Sequence, residues 1–154
     1  MKRNEFKALI DAPPSRVWEV LWSNTTYPSW TAAFMEGSRV VSDKPSEEDI
    51  WRKGNRIRFL GPDNEGMFSE VADNRFNEFM SFRHLGVVTK GIADLDSAQA
   101  KQWAGSMENY SLRNIDGQTE LTVAMDITDE YLKYFQEAWP QALQKIKQLA
   151  EERR

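Results

Sequence analysis

Cysteine is absent from this chain, and histidine occurs once. The first absence excludes a disulfide framework, a thiolate nucleophile and any cysteine-based metal site. It fits a reducing cytoplasm, the compartment expected here. The second leaves a metal without a ligand set, because one histidine among scattered carboxylates offers no ligand spacing; neither a metal nor a cofactor is expected. No apolar run approaches the roughly 18 residues of a membrane-spanning helix, and Met1-Lys-Arg-Asn-Glu-Phe6 lacks the apolar stretch of a signal peptide. Dense positive charge is confined to Lys2-Arg3 and Arg153-Arg154. With 20 basic against 24 acidic residues and a net charge of −4, the chain has no basic face for neutralising phosphates, which excludes nucleic acid as a partner. A Ser-His-Asp order, a glycine-rich phosphate loop and a dinucleotide fingerprint are also missing. Gly61-Pro-Asp-Asn-Glu-Gly66 is turn chemistry bounding a hairpin.

What is present is apolar surface. The 154 residues are 40% hydrophobic, with six Trp and eight Phe, enough to offset the entropy of ordering one folded domain, expected over residues 1–154. The order of the apolar blocks is informative. A strand over residues 5–11, with Phe6, Ala8 and Ile10 on one face, feeds through Pro13 and Pro14 into a helix carrying Val17, Trp18, Leu21 and Trp22 at helical spacing. Asn24 to Trp30 reads as a turn or short helix interrupted at Pro28. Strands are expected over Ser38–Ser42, Arg56–Leu60, Met67–Asp73, Phe79–Val88, Met107–Ile115 and Thr119–Ile127. Asp116-Gly117 marks a tight hairpin between the last two.

Residues 89–105 break the strand pattern; Ser97 to Trp103 reads as a single helical excursion capped by Asp96 or Ser97. Glu47-Glu-Asp49 reads as a solvated loop. The chain ends in a long amphipathic helix over Asp129–Glu152, with Leu132, Phe135, Trp139, Leu143, Ile146 and Leu149 on one stripe. Asp129 and Glu130 suit its N-terminus, and Arg153-Arg154 its C-terminus. Pro140 is expected to kink it, at a cost of about 3 kcal/mol unless compensated. The fold class is therefore α+β, a curved antiparallel sheet bracketed by an early helical pair and a terminal helix.

Several of these segments are similar to a known family. Ala12-Pro-Pro-Ser-Arg-Val-Trp-Glu-Val-Leu-Trp22, followed by Tyr27-Pro-Ser-Trp30, resembles the opening of the START-like, or SRPBCC, superfamily. Ser81-Phe-Arg-His-Leu-Gly86 and Trp103-Ala-Gly-Ser-Met-Glu-Asn-Tyr110 resemble its branch related to the activator of heat-shock protein 90 ATPase. The resemblance covers essentially the whole chain. It implies a helix-grip fold, in which about six to seven strands wrap around the C-terminal helix, with two short helices after the first strand and a cavity between sheet and helix. Relatives include lipid carriers, polyketide cyclases and co-chaperone domains, so the resemblance speaks more to fold than to role.

The residues themselves narrow the role. His84 shares a strand face with Met80, Phe82 and Val88, while Glu108 shares one with Tyr110 and Leu112. If both faces line one concavity, His84, Glu108 and Tyr110 converge there, either as a proton-transfer set or as a buried pair satisfying itself. Trp18 and Trp22 are expected in the core. Trp30, Phe34 and Trp51 fall at loops and strand margins, where lining a cavity and packing a core weigh evenly. Phe135 and Trp139 face inward from the terminal helix, and Met125 adds adaptable lining. The ligand-binding candidates are therefore Trp30, Phe34, Trp51, Phe82, His84, Glu108, Tyr110, Met125, Phe135 and Trp139. The reading that fits best is a binding module for a small hydrophobic or amphipathic ligand, as a monomer or weak dimer. A cyclase- or dehydratase-like enzyme using His84 and Glu108, and a co-chaperone-like domain with a chaperone as partner, are the alternatives.

Overall fold

Alternating side chains and proline placement set the early elements. In the computed structural model, which describes residues 1–152, β1 (Lys2–Ile10) turns Phe6, Ala8 and Ile10 toward the core. Pro14 then opens α1 (Pro14–Trp22), a position where the missing N–H would have had no partner. In α2 (Tyr27–Thr31), Pro28 lies in the first turn and starts the helix rather than interrupting it. The acidic run expected as a loop forms a single-turn helix, α3 (Glu47–Ile50). Its cap is Ser46, whose hydroxyl accepts from the Asp49 N–H at 3.2 Å.

Between and beyond these lie β2 (Arg39–Val41), β3 (Arg56–Leu60), β4 (Gly66–Arg75), β5 (Phe79–Thr89), β6 (Ile92–Asp94), β7 (Met107–Ile115) and β8 (Gln118–Ile127). They form one antiparallel sheet of eight strands in the order β1-β8-β7-β5-β4-β3-β2, with β6 paired to β5. The strand beyond the expected count is β6. Its three residues are too few to show alternation, and its turn, Lys90-Gly91, takes left-handed backbone at both positions (φ 52° and 81°), the tight hairpin geometry that Asp116-Gly117 also adopts. After it, α4 (Ala98–Trp103) is capped by Ser97, which accepts from the Ala100 N–H at 3.1 Å.

The terminal helix α5 (Asp129–Glu151) runs continuously through Pro140. Pro140 faces solvent, where water can satisfy the carbonyl one turn back. The opposite stripe, Trp139, Ala142, Leu143, Ile146 and Ala150, is buried against β1 and α1. Two hydrogen bonds pin the helix C-terminal half: the Arg16 guanidinium donates to the Leu149 carbonyl at 2.9 Å, and the Asp11 N–H donates to Glu151 at 2.8 Å. Arg153 and Arg154, expected to complement the helix C-terminus, lie outside the described residues. Among the described residues, no helix is long and apolar enough to cross a membrane.

Candidate functional site

The site begins at an irregularity in β5. From Phe79 to Arg83 this strand pairs with β4 on one side and β7 on the other. Ser69 then stands opposite His84 while Phe68 stands opposite Gly86, so Leu85 is an extra residue. Such a bulge bends the strand and re-aims its side chains. At the same point β5 leaves β7: the His84 N–H donates to the Ser106 carbonyl at 2.9 Å, and its own carbonyl accepts from Gly105 at 2.8 Å. Beyond the bulge both Val87 and Val88 are buried, and Val87 packs on Ala100 and Trp103.

His84 is thereby held at a corner of the sheet with both ring nitrogens engaged. Ser69 Oγ lies 2.7 Å from Nδ1, and Glu108 Oε1 lies 3.3 Å from Nε2. Assigning the protons from these partners, Ser69 donates to Nδ1 and the ring proton sits on Nε2, facing the carboxylate. The Tyr110 hydroxyl donates to the other Glu108 oxygen. Burial, reinforced by the negative charge of Glu108, pushes the Tyr27 and Tyr110 phenols well above their ordinary range.

Serine, histidine and glutamate in hydrogen-bonded series have the composition of a nucleophilic triad. Ser69, however, is fully buried and absent from the cavity wall, so no substrate atom reaches its hydroxyl. Its role here is to fix the imidazole. Glu108 and His84 remain partly open, with 18% and 7% of their side chains exposed.

They open into a cavity of about 490 Å³ between the sheet and α5, a size ordinary for small-molecule sites. Of the ten candidates, eight line it: Trp30, Phe34, His84, Glu108, Tyr110, Met125, Phe135 and Trp139. Trp139 donates its indole N–H to the Met125 sulfur at 3.0 Å, and the Phe34 ring lies 4.8 Å from Trp139. Phe82 and Trp51 do not line it. Phe82 shares the strand face of His84, but that stretch is covered by Trp22 and Trp51 at 5.4 and 5.9 Å between ring centroids. Trp51 is buried beside Trp22, to whose carbonyl it donates at 2.9 Å. Trp18 and Trp22 are buried, as expected.

Sequence reasoning passed over Ser69, Tyr27, Phe59, Trp103, Tyr131 and Tyr134. All but Ser69 line the cavity. The segment 89–105 contributes to this wall through Gln99 and Trp103 of α4, with Trp103 against Tyr131 at 5.3 Å. At the rim, the Tyr134 hydroxyl donates to the Phe34 carbonyl at 2.6 Å. A larger cleft of about 1040 Å³ lies outside, between α1, α3 and Phe76, and contains none of the His84 cluster. An unbroken file of rings joins the two spaces: Phe76, Trp18, Trp22, Trp30 and Trp139, each within 6.5 Å of the next. Among the described residues, no group of three or more His, Asp or Glu is placed to hold a metal ion.

No protein-family profile matches the chain, and no curated protein does. Solved structures do match along its length. The Aha1 dimer from Colwellia psychrerythraea superposes with a TM-score of 0.70 at 14% identity, over 98% of this chain and 97% of its own. Protein MLL2253 from Mesorhizobium loti gives 0.65 at 19% identity, over 96% of both chains. DynU16, from the dynemicin biosynthetic locus, gives 0.65 at 14% identity over 98% of this chain; the chain spans 48% of DynU16. At such identities the likeness is one of fold. The sheet order, the terminal helix and these neighbours give the chain the fold that it shares with Aha1, a curved antiparallel sheet around a long terminal helix, the helix-grip arrangement expected from the sequence.

Proposed function

We propose that the chain acts as one unit over residues 1–154 and holds a small hydrophobic or amphipathic ligand, of lipid, isoprenoid or polyketide-like shape, between sheet and terminal helix. The observation that carries this reading is the composition of the cavity. Aromatic and aliphatic walls from α2, α4, α5 and β8 meet a hydrogen-bonded polar cluster, His84, Glu108 and Tyr110, with Arg39 and Glu65 also in the lining. Burial of the ligand's apolar body supplies the affinity, at about 25 cal/mol per Å² removed from water, and the polar cluster orients its other end. A cytoplasmic carrier, monomeric or weakly dimeric, fits this reading.

Native mass spectrometry of the purified protein, before and after denaturation, tests it. A small molecule released only on unfolding is the expected result. A protein that is empty and also fails to take up an apolar fluorescent probe overturns the proposal.

Convergence of His84, Glu108 and Tyr110 on one cavity supports a second reading, an enzyme of the cyclase or dehydratase type, and the fold likeness to DynU16 agrees with it. His84→Ala separates the two: a carrier loses modest affinity, whereas an enzyme loses most of its rate. Likeness to Aha1 supports a third reading, a co-chaperone-like domain with a chaperone as partner. Stimulation of a chaperone ATPase by the purified protein is its test.

A further inference from the structure

We infer that the cavity selects an apolar ligand bearing a protonated amine, and discriminates against a free carboxylic acid. The inference rests on reading the cavity as a ligand site. It starts from the charge of Glu108. Its two oxygens accept from the His84 imidazole and the Tyr110 hydroxyl. A phenol and an imidazole N–H each donate to it, and the carboxylate is the acceptor in both contacts. Each oxygen keeps a lone pair for a further donor, and the side chain is open toward the cavity.

The remaining charges of the lining reinforce this. Arg39 is the one cation among the described lining residues, against two carboxylates, Glu65 and Glu108. Its guanidinium is committed to the loop after β3, donating to the Gly61 carbonyl at 2.7 Å and to Asn64. Glu65 belongs to the same loop and shares that rim.

Beside Glu108 the walls are aromatic side chains packed on one another. Tyr110 lies 6.4 Å from Trp30 and 6.0 Å from Trp139, and Tyr27 lies 5.3 Å from Trp30, centroid to centroid. The field of Glu108 reaches Tyr27 as well, adding to the burial that keeps that phenol protonated. An ammonium brought here exchanges water for a carboxylate set among aromatic rings. A carboxylate brought here meets a like charge, which costs binding.

The test holds the apolar body constant and changes only the head. Decylamine, decanol and decanoate are titrated into the protein at neutral pH and low salt by calorimetry, below their aggregation limits. The expected order is amine, then alcohol, then carboxylate, with at least about a tenfold gap between the first and last. Glu108→Gln is expected to close that gap, with decylamine and decanoate compared against each other in the same variant.

Decanoate binding as tightly as decylamine overturns the head-group inference and leaves the ligand-holding reading standing. If decanoate binding also falls in Arg39→Ala, the rim guanidinium is identified as the true head site. Failure of all three probes to bind overturns both readings together. The comparison in the unaltered protein decides the inference by itself should Glu108→Gln not fold.

Discussion

Ser69→Ala isolates the contact on which the orientation of His84 depends. The substitution deletes a hydroxyl that is fully buried and lies 2.7 Å from His84 Nδ1, with little loss of volume. What it leaves is a buried ring nitrogen without its donor. Stranding one such neutral group costs about 1–3 kcal/mol. For a chain of this length each kcal/mol lowers Tm by about 2–4 °C, so the expected fall is about 2–12 °C. The urea m-value is expected to stay constant, because the surface exposed on unfolding does not change. A second readout follows from the lone histidine: imidazole nitrogen NMR reports a single ring without assignment. The native protein is expected to carry its proton on Nε2, and the variant to show a mixture of tautomers. Unchanged stability, or a native ring protonated on Nδ1, would refute the reasoning.

Phe82→Ala is expected to cost about 3–5 kcal/mol in chemical denaturation, since the ring is wholly buried among Trp22, Trp51 and Phe59. Phe34→Ala, at the cavity wall, should cost less stability and more affinity for decylamine, as a paired denaturation and calorimetry experiment would show. Gly66→Ala is expected to lose about 1–3 kcal/mol or more, because a methyl group there overlaps the Phe59 carbonyl oxygen, which is backbone and has little room to move. The phenols give a pH prediction. Tyr27 and Tyr110 hold their protons in the folded state beyond the ordinary value of 10.0. The stability they contribute is therefore complete below about pH 10 and drains away as pH rises above it. Phenolate absorbance should show both tyrosines ionising together with unfolding; early, non-cooperative ionisation of either one would contradict this.

The long elements were legible because their signals are repetitive. Arg56–Leu60 and Met107–Ile115 fall where alternation puts them, and Asp116-Gly117 turns as its residue types require. The terminal helix follows its apolar stripe, ending at Glu151. One short strand and one irregularity were not legible. Three residues of β6 carry no period, and the bulge at Leu85 shifts the count by which a strand face is read. Ser69 was silent for the same reason: a serine in a strand gives no hint of its partner until the register is known. Alternation also says which face a residue takes and nothing about what covers it. That is why Phe82 and His84, two residues apart on one face, end respectively under tryptophans and in a cavity wall.

The file of rings from Phe76 to Trp139 gives this protein an optical property. Four indoles, Trp18, Trp22, Trp30 and Trp139, stand in sequence, each within 6.5 Å of the next. At such separations an excitation absorbed by one indole migrates to its neighbours before it is emitted. A molecule that quenches Trp139 is therefore expected to dim its neighbours as well. Intrinsic fluorescence becomes a label-free gauge of cavity occupancy, although no emission band belongs to a single tryptophan. Phe76, 74% exposed and in edge contact with Trp18, stands at the outer end of that file, so a partner seated there touches the same coupled set of rings.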